Sequence, residues 1–255
     1  KMPPVANLRE CRDSADHPAT GPIIIGLDVT GSMGYVPDRF IREEMTKMMG
    51  ALYEGGVKDA QVLFLGIGDH ECDRSPLQVG QFEADDELMD KWLKSIYLEG
   101  GGGGNGGESY LLAWAFAARQ TLLDATKRGK KGFLFTIGDE PNLTSLPVDA
   151  QKEIFGPNGD YKNVSDMELY AEASKTYEVY HINILETPSG ARASTLNGWK
   201  QKLGDRVIPV KSYSEIAGVI SKVITAGAAD VAGTPDAGSV GAKEEKTDRT
   251  EGMML

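Results

Sequence analysis

The chain predicts an α/β fold: a doubly wound, mostly parallel sheet with helices on both faces and one antiparallel edge strand. Three observations predict it. The apolar runs are mostly continuous rather than alternating, as in strands buried on both faces. Helical stretches separate them, and this β-α-β alternation implies parallel pairing. The acidic residues of most chemical interest fall directly after such runs, at the carboxyl ends of strands, where open α/β sheets hold their ligands.

Taken in order, residues 1–20 are polar and proline-containing and read as an N-terminal arm. The domain spans 21–226. Its candidate strands are Ile23–Leu27, Gln61–Gly66, Gly132–Ile137, Val179–Leu185 and Arg206–Lys211. Pro209 cannot donate to a ladder and places the last of these at a sheet edge. A short strand around Leu77–Phe82 is expected antiparallel beside the second. Ile41, Met45, Met48, Met49 and Leu52 form one helical stripe, and Ile216, Val219, Ile220, Val223 and Ile224 another; the methionines are core filler. Leu111–Leu122 reads as a helix apolar nearly all round, and so deeply buried. Residues 227–255 form a low-complexity tail of Gly, Ala and charge, with too few core formers to fold alone.

The 255 residues suffice for one large domain with a real core, at 40% hydrophobic and 25% charged. A net charge of −11 argues against a nucleic-acid partner. The basic run Lys127–Lys131 reads as a solvated helix end. No membrane-spanning run or signal-peptide pattern is present. Two cysteines, Cys11 and Cys72, give no disulfide framework, and a cytoplasmic setting is the expectation.

The most informative stretch is I-I-I-G-L-D-V-T-G-S-M-G, Ile23–Gly34. A buried strand stops at Asp28, and a tight turn then brings in the hydroxyls of Thr30 and Ser32. Such a cup of hard oxygens suits a magnesium-sized cation, with manganese or calcium also able to enter. Asp139 follows the strand Phe133–Ile137 and reaches the same end of the sheet. The glycine-rich run Gly100–Gly107 lacks the lysine and hydroxyl of a phosphate loop and reads as a segment passing close to a metal or partner. Asp69, His70, Glu71, Cys72 and Asp73 form a ligand-rich run with too few N and S ligands for tetrahedral zinc; it reads as a surface loop near the same rim.

D-V-T-G-S-M at Asp28–Met33, preceded by I-I-I-G-L, and F-T-I-G-D-E-P around Asp139 resemble the von Willebrand factor type A domain, most like stand-alone bacterial and phage members. The resemblance covers about Gly21–Ala226 and implies a metal-ion-dependent adhesion site. In such a site Thr30 and Ser32 ligate directly, Asp28 and Asp139 act largely through water, and a partner's Asp or Glu completes the coordination. The family's second-loop threonine is missing here; Asn105 and Glu108 are the candidate replacements, with Ser109 beside them. A haloacid-dehalogenase-type phosphotransferase also begins with an Asp after an apolar strand, but it needs D-x-D, and position 30 is Thr.

The resulting expectation is a non-enzymatic, magnesium-dependent protein–protein interaction module. The alternative is a structural subunit of a phage particle or other large assembly. In it the domain is a scaffold, and the arm and tail contact neighbours in a homo- or hetero-oligomer.

Overall fold

In a computed structural model, described for residues 2–57, 59–98 and 105–232, the central sheet has six strands. The strands of the chain are β1 (Arg9–Cys11), β2 (Gly21–Asp28), β3 (Ala60–Ile67), β4 (Leu77–Val79), β5 (Thr121–Leu123), β6 (Gly132–Gly138), β7 (Ser145–Leu146), β8 (Val164–Ser165), β9 (Tyr177–Ile184) and β10 (Val207–Val210). The central order is β10-β9-β6-β2-β3-β4. All neighbours are parallel except β4, which runs antiparallel on β3. The expected fold class is therefore present, antiparallel edge included. Pro209 lies on the edge strand β10, paired with Asn183 of β9 on one side only.

The helices are α1 (Val36–Arg39), α2 (Met45–Glu54), α3 (Asp86–Lys94), α4 (Leu111–Arg119), α5 (Val148–Phe155), α6 (Asp166–Ala173), α7 (Ala193–Leu203) and α8 (Ile216–Ala232). A wider π-type turn, Phe40–Glu44, joins α1 to α2. Alternation along β2 sorts the core into two layers. Ile24 faces α4, α5, α6 and α7, through Trp114, Phe155, Leu169 and Trp199. Ile23, Ile25 and Leu27 face α2, α3 and α8, through Met48, Leu52, Met89, Leu93 and Ile220. Among the described residues no helix is long and apolar enough to cross a membrane.

One local expectation is corrected. The helix from Leu111 stops at Arg119, and Thr121–Leu123 is instead a strand paired parallel with Arg9–Cys11. Thr121 is β-branched, and its hydroxyl back-bonds to the Ala117 carbonyl at 2.7 Å, which helps end the helix. Within the N-terminal arm, Arg9–Cys11 is thereby tied to β5. Arg9 is fully buried and donates to the carbonyls of Gly80, Asn7 and Pro4. At the other end α8 continues past Ala226 to Ala232; residues 233–255 of the tail, and 99–104 of the glycine-rich run, lie outside the described residues.

Strand order decides where a site can form. The chain leaves the central strand β2 toward β3 on one side and later fills β6 and β9 on the other. Loops after β2 and β6 therefore diverge to opposite faces and leave a crevice at their carboxyl ends. Leu27 pairs with Ile137, so Asp28 and Asp139 both emerge there.

Candidate functional site

Asp28, the last residue of β2, is fully buried. Its Oδ1 accepts from the Thr30 amide at 2.9 Å and the Thr30 hydroxyl at 2.7 Å, the hydrogen-bonded turn that a short polar side chain makes with its own backbone. A tight turn over Gly31–Met33 follows and carries Ser32 across the crevice, where Ser32 Oγ donates to Asp139 Oδ1 at 2.8 Å. Thr30 Oγ1 and Ser32 Oγ lie 3.3 Å apart. With the protons of both hydroxyls directed to carboxylates, their lone pairs remain available as acceptors.

The two second-loop candidates are separated. Glu108 is buried at 3% exposure, its backbone held by bonds to Pro141 and from Leu143, so it sits beside the loop that carries Asp139. Asn105 turns elsewhere, its amide nitrogen donating to Asp69 Oδ2 at 2.6 Å and Glu71 Oε2 at 2.9 Å. Ser109 also joins that neighbouring loop: its hydroxyl accepts from the His70 amide at 2.9 Å and lies 3.3 Å from Asp69 Oδ1. Asp69 itself is fully buried rather than exposed at the rim. Of the two candidates, Glu108 is the one whose side chain lies near Asp28 and Thr30.

Tyr110 went unnoticed in the sequence. Its hydroxyl donates to Asp28 Oδ2 at 2.5 Å from a fully buried ring. A tyrosine opening an otherwise apolar, buried helix was itself the signal, because a buried phenol needs a polar partner. Gly138 makes room for it: a Cβ there would lie 1.9 Å from the Tyr110 hydroxyl. Behind Tyr110, His181 stacks on Trp199 with centroids 3.6 Å apart, and Trp199 Nε1 donates to the Glu140 carbonyl at 3.0 Å. This wall buttresses the loop that holds Asp139.

Burial and crowding of like charge raise all three carboxyl groups. Burial chiefly lifts Asp28, to about 7, with Asp139 adding to it and the Tyr110 and Thr30 bonds opposing. Burial also lifts Glu108, to about 9, helped by Asp28, Asp69 and Asp73. Asp139 is raised by burial, with the Ser32 hydroxyl opposing. Without a counter-charge, the three would share fewer than three negative charges at neutral pH.

Neither a protein-family model nor a curated protein matches the chain. Solved structures do. The pilus adhesin SpaC from Lactobacillus rhamnosus GG, in its open conformation, superposes with a TM-score of 0.55 at 12% identity, over 87% of this chain and 31% of that one. The vWF domain of the type V pili tip protein Mfa5 from Porphyromonas gingivalis superposes with a TM-score of 0.51 at 11% identity, over 82% of this chain and 96% of that domain. The fold is von Willebrand factor A-like. The chain spans 31% of the length of SpaC, so the likeness concerns this one domain.

The residues at this end of the sheet fit the divalent cation that the sequence resemblance leads one to expect. Glu108 Oε2 and Asp139 Oδ2 are buried with no hydrogen-bond partner among the described residues. A buried carboxylate oxygen left without a donor is costly, and a cation would relieve both. Among the described residues no three Asp, Glu, His or Cys side chains form a cage by themselves. A cation would therefore rest on carboxylates, hydroxyls and water together, a mixed oxygen set suited to magnesium.

Proposed function

We propose that this chain is a non-enzymatic protein-interaction module whose site takes a magnesium-sized cation completed by an Asp or Glu of a partner protein. The observation that carries the reading is the pair of orphaned buried oxygens, Glu108 Oε2 and Asp139 Oδ2, beside two hydroxyls already stripped of their donor role. Thr30 and Ser32 would hold the ion through oxygen lone pairs, while Asp28, Asp139 and Glu108 supply negative charge directly or through water. Bound there, the cation would bridge this acidic chain to an acidic group that it would otherwise repel. SpaC is a pilus adhesin and Mfa5 a pilus tip protein, both in keeping with an interaction domain.

The position two residues after Asp28 is a threonine whose proton is committed to Asp28, so it has no general acid to offer. The decisive experiment is calorimetric titration of Mg²⁺ and Mn²⁺ into the purified chain and into Asp28→Ala. The parent should bind one ion and the variant none. Equal affinity in both would refute the assignment. A pull-down with and without chelator then separates the two roles: capture lost on chelation supports the ion bridge, whereas capture that persists supports the scaffold alternative.

A further inference from the structure

We propose that Tyr110 is a positioning residue for the cation: its hydroxyl latches the segment carrying Glu108 onto Asp28 and so assembles carboxylates from two distant loops into one site. The inference rests on the cation-site reading above and adds to it a residue outside the ligand set.

The argument begins with the segment itself. Glu108, Ser109 and Tyr110 lead into α4, and each turns a different way. The Glu108 backbone is fixed to Pro141 and Leu143. The Ser109 hydroxyl goes to His70 and Asp69. Tyr110 alone among the three makes a side-chain hydrogen bond to Asp28. The next residue is fixed as well, the Leu111 amide donating to Asn142 Oδ1 at 2.9 Å.

The ring of Tyr110 is clamped. It meets His181 edge-on at 5.1 Å and Trp199 at 5.4 Å between centroids. A phenylalanine would fill the same space, so packing alone does not require the hydroxyl. The hydroxyl reaches Asp28 because position 138 lacks a side chain. Its other neighbour, the Glu140 amide, is 3.4 Å away, a far weaker contact.

The bond has a consequence for the ion. A carboxylate oxygen has about two lone pairs. Asp28 Oδ1 spends both on Thr30. Oδ2 spends one on Tyr110 and keeps one direction free. Asp28 thus meets a cation, or a water on it, from a single fixed direction. Without the hydroxyl Oδ2 would lose the donor that fixes its free direction, and the Glu108 segment would lose its side-chain tie to β2. Partners of this kind, one step removed from a metal, change affinity by about 10- to 100-fold when removed.

The test compares Tyr110→Phe with Tyr177→Phe in the full chain. Tyr177 is also a buried tyrosine with one hydroxyl bond, to Thr121 at 2.8 Å, but it starts β9 at the opposite end of the sheet. Calorimetry with MgCl₂ and MnCl₂ should show affinity about tenfold or more weaker in Tyr110→Phe and unchanged in Tyr177→Phe. Far-ultraviolet circular dichroism should be the same for both. Amide exchange at Glu108 and Ser109 should quicken only in Tyr110→Phe, and Mg²⁺ should slow it in the parent. Gly138→Ala, whose Cβ would lie 1.9 Å from the Tyr110 hydroxyl and 2.5 Å from two of its ring carbons, displaces the side chain from Asp28 and provides a second route to the same loss. Affinity within about twofold of the parent in Tyr110→Phe, while Asp28→Ala no longer binds, overturns the latch and leaves the cation site standing. A parent that binds neither ion overturns both.

Discussion

The hydroxyl of Ser32 donates to Asp139 Oδ1 at 2.8 Å across a separation of 107 residues. This bond closes the crevice between the loops after β2 and β6. Through Thr30, 3.3 Å from Ser32, it continues to Asp28, and through Asp28 to Tyr110. Each donor in the chain gives its proton to a carboxylate, which leaves negative charge and free lone pairs gathered at one point.

That arrangement makes stability depend on pH in a definite sense. Glu108 and Asp28 hold their protons up to about 9 and about 7 when folded, whereas the unfolded chain releases them near pH 4. Wherever the folded state binds more protons, stability falls as pH rises. In chelator these two groups should therefore lower the melting temperature as pH rises from about 4.5 to about 9, more steeply below about 7, where both contribute. Added Mg²⁺ should raise it more at the upper end, because binding displaces those protons. Melting curves that are flat with pH, or a Mg²⁺ effect larger at low pH, would contradict the charge assignment.

Glu108→Gln should act in opposite directions on stability and affinity. The variant removes a buried carboxyl group whose Oε2 has no partner, so at about pH 8 in chelator it should melt higher than the parent. It should also bind Mn²⁺ about tenfold more weakly or worse. Differential scanning fluorimetry and calorimetry on the same samples check both. A variant less stable in chelator and unchanged in affinity would remove Glu108 from the site.

His181 should shape the acid limb. It is fully buried between Tyr110 and Trp199, and burial lowers its pKa well below the ordinary value. The unfolded chain takes up that proton near pH 6.5 and the folded chain does not, so the His181 contribution to stability is lost as pH falls below that range, opposing the gain from Asp28 and Glu108. His181→Phe keeps a ring against Trp199 and should make the acid limb of the melting profile shallower. An unchanged limb would show that His181 is not the group responsible.

Arg9 anchors the first residues, with its guanidinium donating to the carbonyls of Gly80, Asn7 and Pro4. Arg9→Ala strands those carbonyls and should cost about 1–3 kcal/mol in urea unfolding. Mg²⁺ affinity should stay put, since the contacts lie away from Asp28. An unaltered midpoint would mean that the first residues contribute nothing to the domain.

Much of this was legible in the chain. The strands from Ile23, Gln61, Gly132, Val179 and Arg206 were readable because strands covered on both faces are continuous apolar runs, and the edge position followed from Pro209. Asp28, Thr30 and Ser32 were readable as a unit because a single turn brings them together. The end of α4 was not readable. Its apolar pattern runs through Leu122, and pairing of Thr121–Leu123 with Arg9–Cys11 sets its end at Arg119. The choice between Asn105 and Glu108 was equally hidden, since it depends on Asp69 capturing the asparagine amide.

The sequence by itself determined which residue types could meet: a carboxylate and two hydroxyls in one turn, a second acid after a later strand, and the layered α/β fold that presents both at one end. These are local properties of pattern and spacing. Only the tertiary structure decided which oxygens remain unpartnered, that Glu108 joins the cluster, and that a tyrosine hydroxyl in the space beside Gly138 fixes Asp28. The physical reason is that burial and hydrogen-bond saturation depend on neighbours far apart in the chain, and no single segment contains them.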